Sequence, residues 1–460
     1  MSFAARFTIA NAYAVIALAF GAFFLVLTPP FGVSDETAHF ERSYEIATGR
    51  FLGADGVPAG MQRFMDDAFG KVKSGEPAAA DDFARWRRID MQGEDIIPYP
   101  EPLRKTLRLH SPLCYAHLAP PTALALALDF SPFAAFYLLR LTALLVGVCL
   151  IWLAIRRAPP ALRTMMAFAA LLPTVVVFLA ALNIESLLVG LGFYFFALVA
   201  AAAAEPDKKL SRQDILLLAG VAFALGQFKT GYLLLPLFAL ALPASKFESA
   251  KTRALVLALI CLPGMIASLA WAIAVKEAIL GDIVYSTMNG NHVEPSAQLA
   301  YVLKRPIEYA VVIARTVFAS DAPGFAWKTL LGVAGWTNIP VATPIYALLT
   351  AALLLIWMSG EKAPDALTGT FAATAQISIF ALTALAILTL VYFQWNGVGA
   401  RIIEGFQGRY LIAALPLLFA IPPIRLSLLA DPRRRGALAF SCALVGLIAM
   451  AAAVRAHYYG

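Results

Sequence analysis

Charged residues are scarce in this chain. Of its 460 residues only 14% are Asp, Glu, Lys or Arg, whereas 60% are hydrophobic and the mean hydropathy is +0.75. A soluble domain carries about a quarter charged residues. The composition therefore excludes an ordinary soluble protein and indicates a polytopic membrane protein. The sequence also lacks an internal repeat, a low-complexity tract and a soluble segment large enough for a core of its own.

Cysteine is equally scarce, and the positive charge is not concentrated. The chain has 4 cysteines without metal-binding spacing, so the sequence predicts no disulfide framework and no structural metal site. The net charge is +7 and the pI is about 9.2, but the basic residues are scattered between apolar runs. This distribution predicts no nucleic-acid partner, and it is better read as a signal of membrane topology.

Long apolar runs dominate what the sequence does contain. A membrane span needs roughly 20 mostly apolar residues. The run at 113–129 contains Pro120, Pro121 and His117, and we predict it as a helix on the membrane surface. The first run lacks a small-x-small cleavage site, so we expect it to be retained. The sequence thus predicts an all-α integral membrane protein with about eleven transmembrane helices, at residues 7–28, 132–155, 163–182, 184–204, 213–229, 231–244, 253–275, 340–358, 371–393, 408–424 and 436–454.

The basic residues predict the orientation of these spans. Lys and Arg are concentrated in short cytoplasmic loops, and a cytoplasmic N-terminus places all the short basic loops on that side. The C-terminus is then external. A long first external loop (29–131) carries juxtamembrane helices, a second external region covers 276–339, and a short glycine-rich third covers 394–407. The whole chain, 1–460, is predicted to form a single transmembrane domain.

The most polar stretch, Ser34–Arg42, follows directly on the first predicted span. Its serine is a typical helix cap, which would place Asp35 and Glu36 in a first helical turn, where the helix dipole favours anions. At helical spacing Asp35, His39 and Arg42 share one face. A carboxylate, an imidazole and a guanidinium beside a membrane form a candidate catalytic site. A solvated charged helix is the alternative interpretation.

A second group of polar residues marks the outer ends of the predicted spans. Ionisable groups at membrane depth are costly and indicate function, although snorkelling to the interface is an equal explanation for Arg140 and Lys229. Arg409 is the sharpest case, because a cation at a helix N-terminus opposes the helix dipole unless an anion such as a phosphate is bound there. A structural ion pair between Arg409 and Glu404 is the alternative. His110 is predicted to support the fold.

Two motifs give the chain a family resemblance. Asp35-Glu36-x-x-His39-Phe40-x-Arg42, and late in the chain the segment Gly405–Tyr410, resemble those of a bacterial family of polytopic membrane proteins, domain of unknown function 2142. Weaker matches at 183–186, 229–232 and 332–336 extend the resemblance over nearly the whole chain. Glu185 departs from the aspartate expected at that position.

That family is similar to the GT-C class of glycosyltransferases, and this similarity implies a fold and a site. GT-C enzymes have a long first external loop with an early catalytic acid, and their donor is a sugar on a polyprenyl phosphate or diphosphate. The resemblance implies a GT-C-like fold with Asp35, Glu36 and His39 in catalysis. It further implies lipid-phosphate binding by Arg42, Arg140, Lys229, Gln407, Arg409 and Tyr410, with supporting roles for His110, Asn183, Glu185 and Glu404.

The predicted function is a glycosyltransferase in the bacterial inner membrane. It would move a sugar from a polyprenyl-phosphate-linked donor to an external glycan, lipid or protein acceptor on the periplasmic face. Asp35 would accept the acceptor's proton, and fixed cations would stabilise the leaving phosphate. His39 has two open roles, since it would either orient Asp35 or join Asp35 and Glu36 in holding a divalent metal ion. The alternatives are a transporter or flippase of polyprenyl-linked glycans and a non-catalytic scaffold for envelope assembly.

Overall fold

Almost all the regular structure of this chain is helical, as its apolar composition requires. The structure, a computed structural model, describes residues 8–53, 56–91, 95–98, 107–228, 230–280, 283–286, 292–422 and 424–460. In chain order the α-helices are α1 (Ile9–Leu27), α2 (Glu36–Ala47), α3 (Ala59–Ser74), α4 (Ala80–Trp86), α5 (Ala119–Ala127), α6 (Pro132–Arg157), α7 (Pro160–Ala170), α8 (Pro173–Leu179), α9 (Glu185–Ala204), α10 (Arg212–Leu225), α11 (Ala250–Ala274), α12 (Lys276–Leu280), α13 (Pro295–Lys304), α14 (Pro306–Phe318), α15 (Ala322–Leu331), α16 (Thr343–Met358), α17 (Asp365–Thr368), α18 (Thr370–Trp395) and α19 (Pro432–Tyr459).

The strands of the described residues are short and pair only as antiparallel two-stranded ribbons. The pairs are β1 (Gly56–Pro58) with β2 (Ile96–Pro98), β3 (Ile283–Ser286) with β4 (His292–Val293), and β5 (Val333–Ala334) with β6 (Ile339–Pro340). In the third ribbon Val333 lies opposite Pro340 and Ala334 opposite Ile339. This ribbon matters for the site, because its turn packs against the segment before α2.

An all-α membrane protein is confirmed, but the predicted count of about eleven spans is not. Within the described residues 6 helices are long and apolar enough to cross a membrane: α1, α6, α9, α11, α18 and α19. The number of candidate spans rises to 7 if α7 and α8, which are bent by 73° at their junction, together form one span. The predicted spans at 213–229 and 340–358 correspond to α10 and α16, which have only 14 and 16 residues. At 1.5 Å per residue an α-helix of this length is shorter than the ~30 Å hydrocarbon core.

Two other predicted spans are not α-helices in the structure. Residues 231–244 lie largely in the 3-10 helix Thr230–Ala241, and residues 408–424 contain the short 3-10 helices Gly408–Leu411 and Leu415–Leu418. Pro236 and Pro416 lie inside these runs. A proline has no N–H to donate, so it interrupts regular α-helical hydrogen bonding. The apolar character of these two runs therefore does not establish that they form α-helices.

The long first loop is built from short helices, and α5 is one of them. With 9 residues it rises about 14 Å and is too short to span a membrane, and the membrane-surface position of 113–129 stays a prediction. A cluster of buried aromatic rings fastens α2, α3 and α4 onto α6, with centroid distances such as 4.7 Å between Phe31 and Phe136. The cluster contains Phe31, Phe40, Phe64, Trp86, Phe133 and Phe136.

Two groups of loop contacts lie at opposite ends of α9. At the start of α9 Glu185 contacts Arg409, and just past its end the carbonyl oxygen of Glu205 accepts a hydrogen bond from Lys246. The 20 residues of α9 span about 30 Å between these contacts. We call the end at Glu185 and Arg409 the site end. We call the end at Glu205 and Lys246 the basic end, because the short basic loops meet at it. The C-terminus of α19 also lies at the site end, where the Tyr458 hydroxyl donates to the carbonyl of Gly32, in the segment after α1, at 2.7 Å.

Candidate functional site

Asp35 stands at the start of α2 in a strained backbone conformation. Its φ is 67°, in the left-handed region, and its side chain is 59% exposed. Such a conformation is uncommon for a residue other than glycine and is enriched at functional sites. The predicted capping by Ser34 is wrong. The Ser34 hydroxyl instead donates to the carbonyl of Gly335 at 3.2 Å, so this serine ties the segment to the β5–β6 turn.

Arg409 lies between two carboxylates that are distant in sequence. Its guanidinium is 3.3 Å from a Glu185 oxygen and 3.7 Å from an Asp35 oxygen, and its Nε donates to the Gln407 side-chain oxygen at 2.6 Å. The guanidinium also lies over the Phe178 ring, 4.2 Å from the ring centroid. The Arg409 side chain is only 5% exposed, so its charge is largely withdrawn from water and its position is fixed from several sides.

The backbone around Arg409 is held by close packing. The N–H of Gly408 donates to the Thr329 hydroxyl at 2.8 Å, and a Cβ at position 408 would lie 1.9 Å from the Ala326 carbonyl oxygen. Only glycine allows this approach of the 3-10 helix Gly408–Leu411 to α15. On the other side the Tyr232 hydroxyl donates to the Tyr410 carbonyl at 2.8 Å.

The β5–β6 turn closes the site from the side of Asp35. Gly335 has a φ of +66°, which glycine adopts without strain, and its carbonyl accepts from both the N–H and the hydroxyl of Ser34. The Trp336 indole donates to the Phe31 carbonyl at 3.1 Å and stacks on the Phe69 ring. Between this turn and Arg409 is a narrow cleft lined by Phe178, Thr329, Val333, Ala334, Gly335, Thr337, Gln407 and Arg409.

Glu36 and Arg140 form a buried pair that is separate from this cleft. The Arg140 guanidinium donates to both Glu36 oxygens, at 2.8 and 2.7 Å, and to three backbone carbonyls near the end of α1. Both side chains are at most 1% exposed. The predicted lipid-phosphate role of Arg140 and the predicted catalytic role of Glu36 do not fit this arrangement. The two residues instead join α6, α1 and α2.

His39 and Arg42 are also engaged within the fold. The Arg42 side chain is fully buried and donates to the Glu45 carboxylate at 2.6 Å and to the carbonyls of Phe51 and His110. It therefore organises the loop and is not placed to bind a phosphate as predicted. A hydrogen bond of 2.8 Å joins His39 Nδ1 to the Tyr115 hydroxyl, and the His39 ring packs 6.2 Å from that of His110. His110 thus lies where the prediction of a fold residue puts it.

The described residues hold no group of three or more His, Cys, Asp or Glu placed to bind a metal ion. The hypothetical ligand set of Asp35, Glu36 and His39 is therefore not assembled. Both oxygens of Glu36 are bonded to Arg140, and one of them also accepts from the N–H of Leu182 at 2.9 Å. A carboxylate surrounded in this way has no oxygen directed towards a shared ion.

The remaining predicted residues take up different positions. Asn183 lies just before α9, and its side-chain oxygen accepts from the N–H of Ser186 in the first turn at 3.1 Å. Glu404 is exposed, and its backbone pairs with Asn396. The predicted alternative pairing of Arg409 with Glu404 is wrong, because Arg409 contacts Asp35, Glu185 and Gln407 instead. Lys229 lies outside the described residues, so its role stays a prediction.

Most of the chain matches one known family of proteins. A family model described as a predicted membrane protein, DUF2142, matches residues 18–418. The chain belongs to the DUF2142 family. The match contains both the segment Ser34–Arg42 and the motif Gly405–Tyr410, so the resemblance predicted from these motifs is confirmed. No curated protein and no solved structure was found to match the chain.

Sequence reasoning missed two buried groups near the site of this DUF2142 protein. Burial raises the pKa of Glu41 from 4.5 to about 8, with further contributions from Glu45 and Asp66. Burial lowers the pKa of His117 from 6.5 to about 4, and a contact of 3.4 Å joins its Nε2 to the Ser186 hydroxyl. Charge patterning alone treats a glutamate in a polar helix as solvated, so no signal in the sequence showed that Glu41, like Glu36 and Glu45, is buried.

Proposed function

We propose that this protein is a membrane glycosyltransferase of the GT-C type, with Asp35 as catalytic base and Arg409 as the cation that faces the leaving phosphate. Its donor would be a sugar on a polyprenyl phosphate, and its acceptor an external glycan, lipid or protein at the periplasmic face of the bacterial inner membrane. The single observation that carries the proposal is the approach of Asp35 to Arg409, 3.7 Å between oxygen and nitrogen. Other support comes from the family resemblance to GT-C enzymes.

Asp35 has the properties that a general base requires. Its carboxylate is 59% exposed, so an acceptor hydroxyl can approach it from outside. In the proposed step the acceptor oxygen attacks the anomeric carbon of the sugar while its proton passes to Asp35. The bond between that carbon and the phosphate oxygen breaks, and the lipid phosphate leaves with the electron pair. The step requires no redox change and no further reactant.

Arg409 has the properties that suit a developing phosphate anion. A fixed cation in a site with little water stabilises charge in the transition state more strongly than a solvated one. Gln407 and Glu185 hold Arg409 in place, while its 3.7 Å contact with Asp35 is longer than the ~2.7–3.2 Å of a hydrogen bond. We infer that a phosphate oxygen replaces Asp35 on Arg409 and thereby frees the carboxylate to act as base.

The proposal is tested with Asp35→Asn in purified full-length protein, reading transfer from a polyprenyl-phosphate-linked sugar. Loss of a general base reduces turnover by about 100- to 10,000-fold. The matched control is Asp365→Asn, which removes another exposed aspartate in an ion pair, at the basic end. Both variants should unfold at the temperature of the parent. Full turnover by Asp35→Asn would remove Asp35 from the mechanism.

A second variant series tests the cation. Arg409→Gln removes the charge, and Arg409→Lys keeps it but removes the forked geometry that matches phosphate. We expect Gln to lose most of the activity and Lys to retain part of it. Movement of an intact lipid-linked glycan across the bilayer, without cleavage of the sugar–phosphate bond, would instead indicate a flippase.

A further inference from the structure

A second charged cleft lies at the basic end, remote from Asp35. It forms where the ends of α6 and α9, the start of α10 and the loop before α11 meet. Its polar lining consists of Arg157, Glu205, Lys208, Lys209, Asp214 and Lys246. Four of these side chains are cationic and two are acidic, so the cleft carries an excess of positive charge.

Lys246 is the residue that makes this cleft unusual. It is only 4% exposed, although it belongs to a loop between apolar segments. Its ammonium group donates to the backbone carbonyl of Glu205 at 2.8 Å, which is a neutral partner. A buried charge is costly unless it is paired. A lysine that only set the membrane topology would stay in water, so topology does not explain its burial.

Lys208 is ion-paired with Glu205 at 3.4 Å, but Lys209 and Arg157 leave hydrogen-bonding capacity towards the cleft. The ammonium group of Lys209 donates to the Phe247 carbonyl at 2.7 Å, and an ammonium group has three donors. Arg157 contacts Asp214 only at 3.6 Å, with 51% of its side chain exposed. An anion with several acceptor oxygens would satisfy these donors and compensate the buried charge of Lys246.

The cleft also has an apolar wall. Leu198 on α9 and Leu218 on α10 lie behind it and are buried, and Leu210 from the intervening loop is partly exposed on the cleft. Cationic and apolar lining side by side matches a molecule with a phosphate at one end and hydrocarbon at the other. A free phosphate ion would make no use of the apolar surface of Leu210.

We infer that this cleft binds the phosphate headgroup of an anionic phospholipid from the leaflet at the basic end, with an acyl chain beside Leu210. Basic pockets between membrane helices are known to hold such headgroups. The inference does not depend on the proposed glycosyl transfer, because the cleft and the site end share none of their residues. A bound lipid here would hold α6, α9 and α10 together.

The experiment titrates full-length protein in detergent with phosphatidylglycerol, phosphatidylcholine or inorganic phosphate and follows the unfolding temperature. We expect phosphatidylglycerol alone to raise it. Lys246→Met keeps the length and apolar stem of the side chain, and Lys209→Gln leaves Lys246 in place. Each cation near a membrane surface contributes about 1 kcal/mol, so each variant should weaken phosphatidylglycerol binding about fivefold. Lys362→Gln, in another short loop at the basic end, is the matched control and should bind normally.

Two results would overturn the inference. Unchanged phosphatidylglycerol affinity in both Lys209→Gln and Lys246→Met would show that the cleft is not the site. Equal stabilisation by inorganic phosphate, lost in the same variants, would show that the ligand is a soluble anion and not a lipid. Should Lys246→Met fail to fold, the double variant Lys208→Gln with Lys209→Gln provides the same comparison from the exposed side of the cleft.

Discussion

At the scale of single residues, Arg140 and Arg409 have opposite surroundings. Arg140 donates to a carboxylate and to three carbonyls in a site without exposure. Arg409 is held by Gln407 and Glu185, but its contact with the exposed Asp35 is longer, at 3.7 Å, and it borders a narrow cleft. An arginine whose partners are all buried stabilises the fold, whereas one with a long contact to an exposed carboxylate can exchange that partner for a ligand. We therefore assign Arg140 to structure and Arg409 to the site.

The assignment of Arg140 gives a prediction about stability. Glu36→Gln leaves the Arg140 charge buried and uncompensated, which costs about 3–5 kcal/mol. Glu185→Gln is the control, because Glu185 is 19% exposed and its loss should cost less. Thermal unfolding in detergent measures both. A double variant, Glu36→Gln with Arg140→Gln, should be less destabilised than the sum of its parts. Equal effects of Glu36→Gln and Glu185→Gln would contradict the structural role.

Glu41 gives a prediction about pH. Its pKa is raised from 4.5 to about 8 by burial and by the neighbouring Glu45 and Asp66. The folded state therefore holds the proton more tightly than the unfolded state. The contribution of Glu41 to stability is fully present below pH 4.5, is lost as the pH rises to about 8, and changes no further above that.

The measurement is the free energy of unfolding between pH 5 and pH 8 for the parent and for Glu41→Gln. In Glu41→Gln the free energy of unfolding should fall less as the pH rises, with a difference from the parent on the order of a few kcal/mol. Glu308→Gln removes an exposed glutamate and controls for the loss of one carboxyl group. A parallel decline in the parent and in Glu41→Gln would refute the role of Glu41.

At the scale of elements, the site depends on how the 3-10 helix Gly408–Leu411 seats against α15. Gly408→Ala would place a methyl group 1.9 Å from the Ala326 carbonyl, so the backbone that carries Arg409 must shift. We expect a lower unfolding temperature and, under the proposed function, a large loss of transfer, since an ångström-scale displacement can cost about 100-fold in rate.

The matched control lies on the same pair of elements. Gly324→Ala falls in α15 where a Cβ meets nothing within 4 Å, and alanine favours a helix over glycine by about 1 kcal/mol. This variant should be as stable as the parent or more so. If Gly408→Ala behaves like Gly324→Ala, the close packing does not position Arg409.

The boundaries of the helices also show what the hydrophobic pattern predicts and what it does not. The long apolar runs of α1, α6, α9, α11, α18 and α19 were identified correctly because hydrophobicity and length suffice for a span. Residues 295–318 do not form one helix, because the chain breaks at Arg305 between α13 and α14. Pro306 disfavours helical conformation in the residue before it, a signal that was present in the sequence.

At the scale of the whole molecule, the loops sort by charge between two ends. The cations Arg157, Lys209 and Lys246 gather at the basic end, and Asp35 lies with Glu185 and Arg409 at the site end. The positive-inside rule favours a cytoplasmic basic end, which would make the site end external. This arrangement suits a reaction with a donor held in the outer leaflet.

Labelling of single cysteines tests this orientation. Asn338→Cys places a thiol in the exposed β5–β6 turn at the site end, and Lys362→Cys places one in an exposed loop at the basic end. In cells whose membrane is intact, a membrane-impermeant maleimide should label position 338, and position 362 only after permeabilisation. The parent chain, with its 4 native cysteines, gives the background. The reverse pattern would place the site in the cytoplasm.

The sequence by itself determined the membrane class, the family and the two motifs from which the site is built, because composition, span length and short motifs are local properties. It could not tell which of Asp35 and Glu36, or of Arg140 and Arg409, belongs to the site, because the two residues of each pair carry the same charge and each lies close to the predicted end of a span. Only the tertiary structure decided that Glu36 meets Arg140, 104 positions away, while Asp35 meets Arg409. Burial and partner choice depend on which distant helix ends pack together, and local sequence carries no record of that packing.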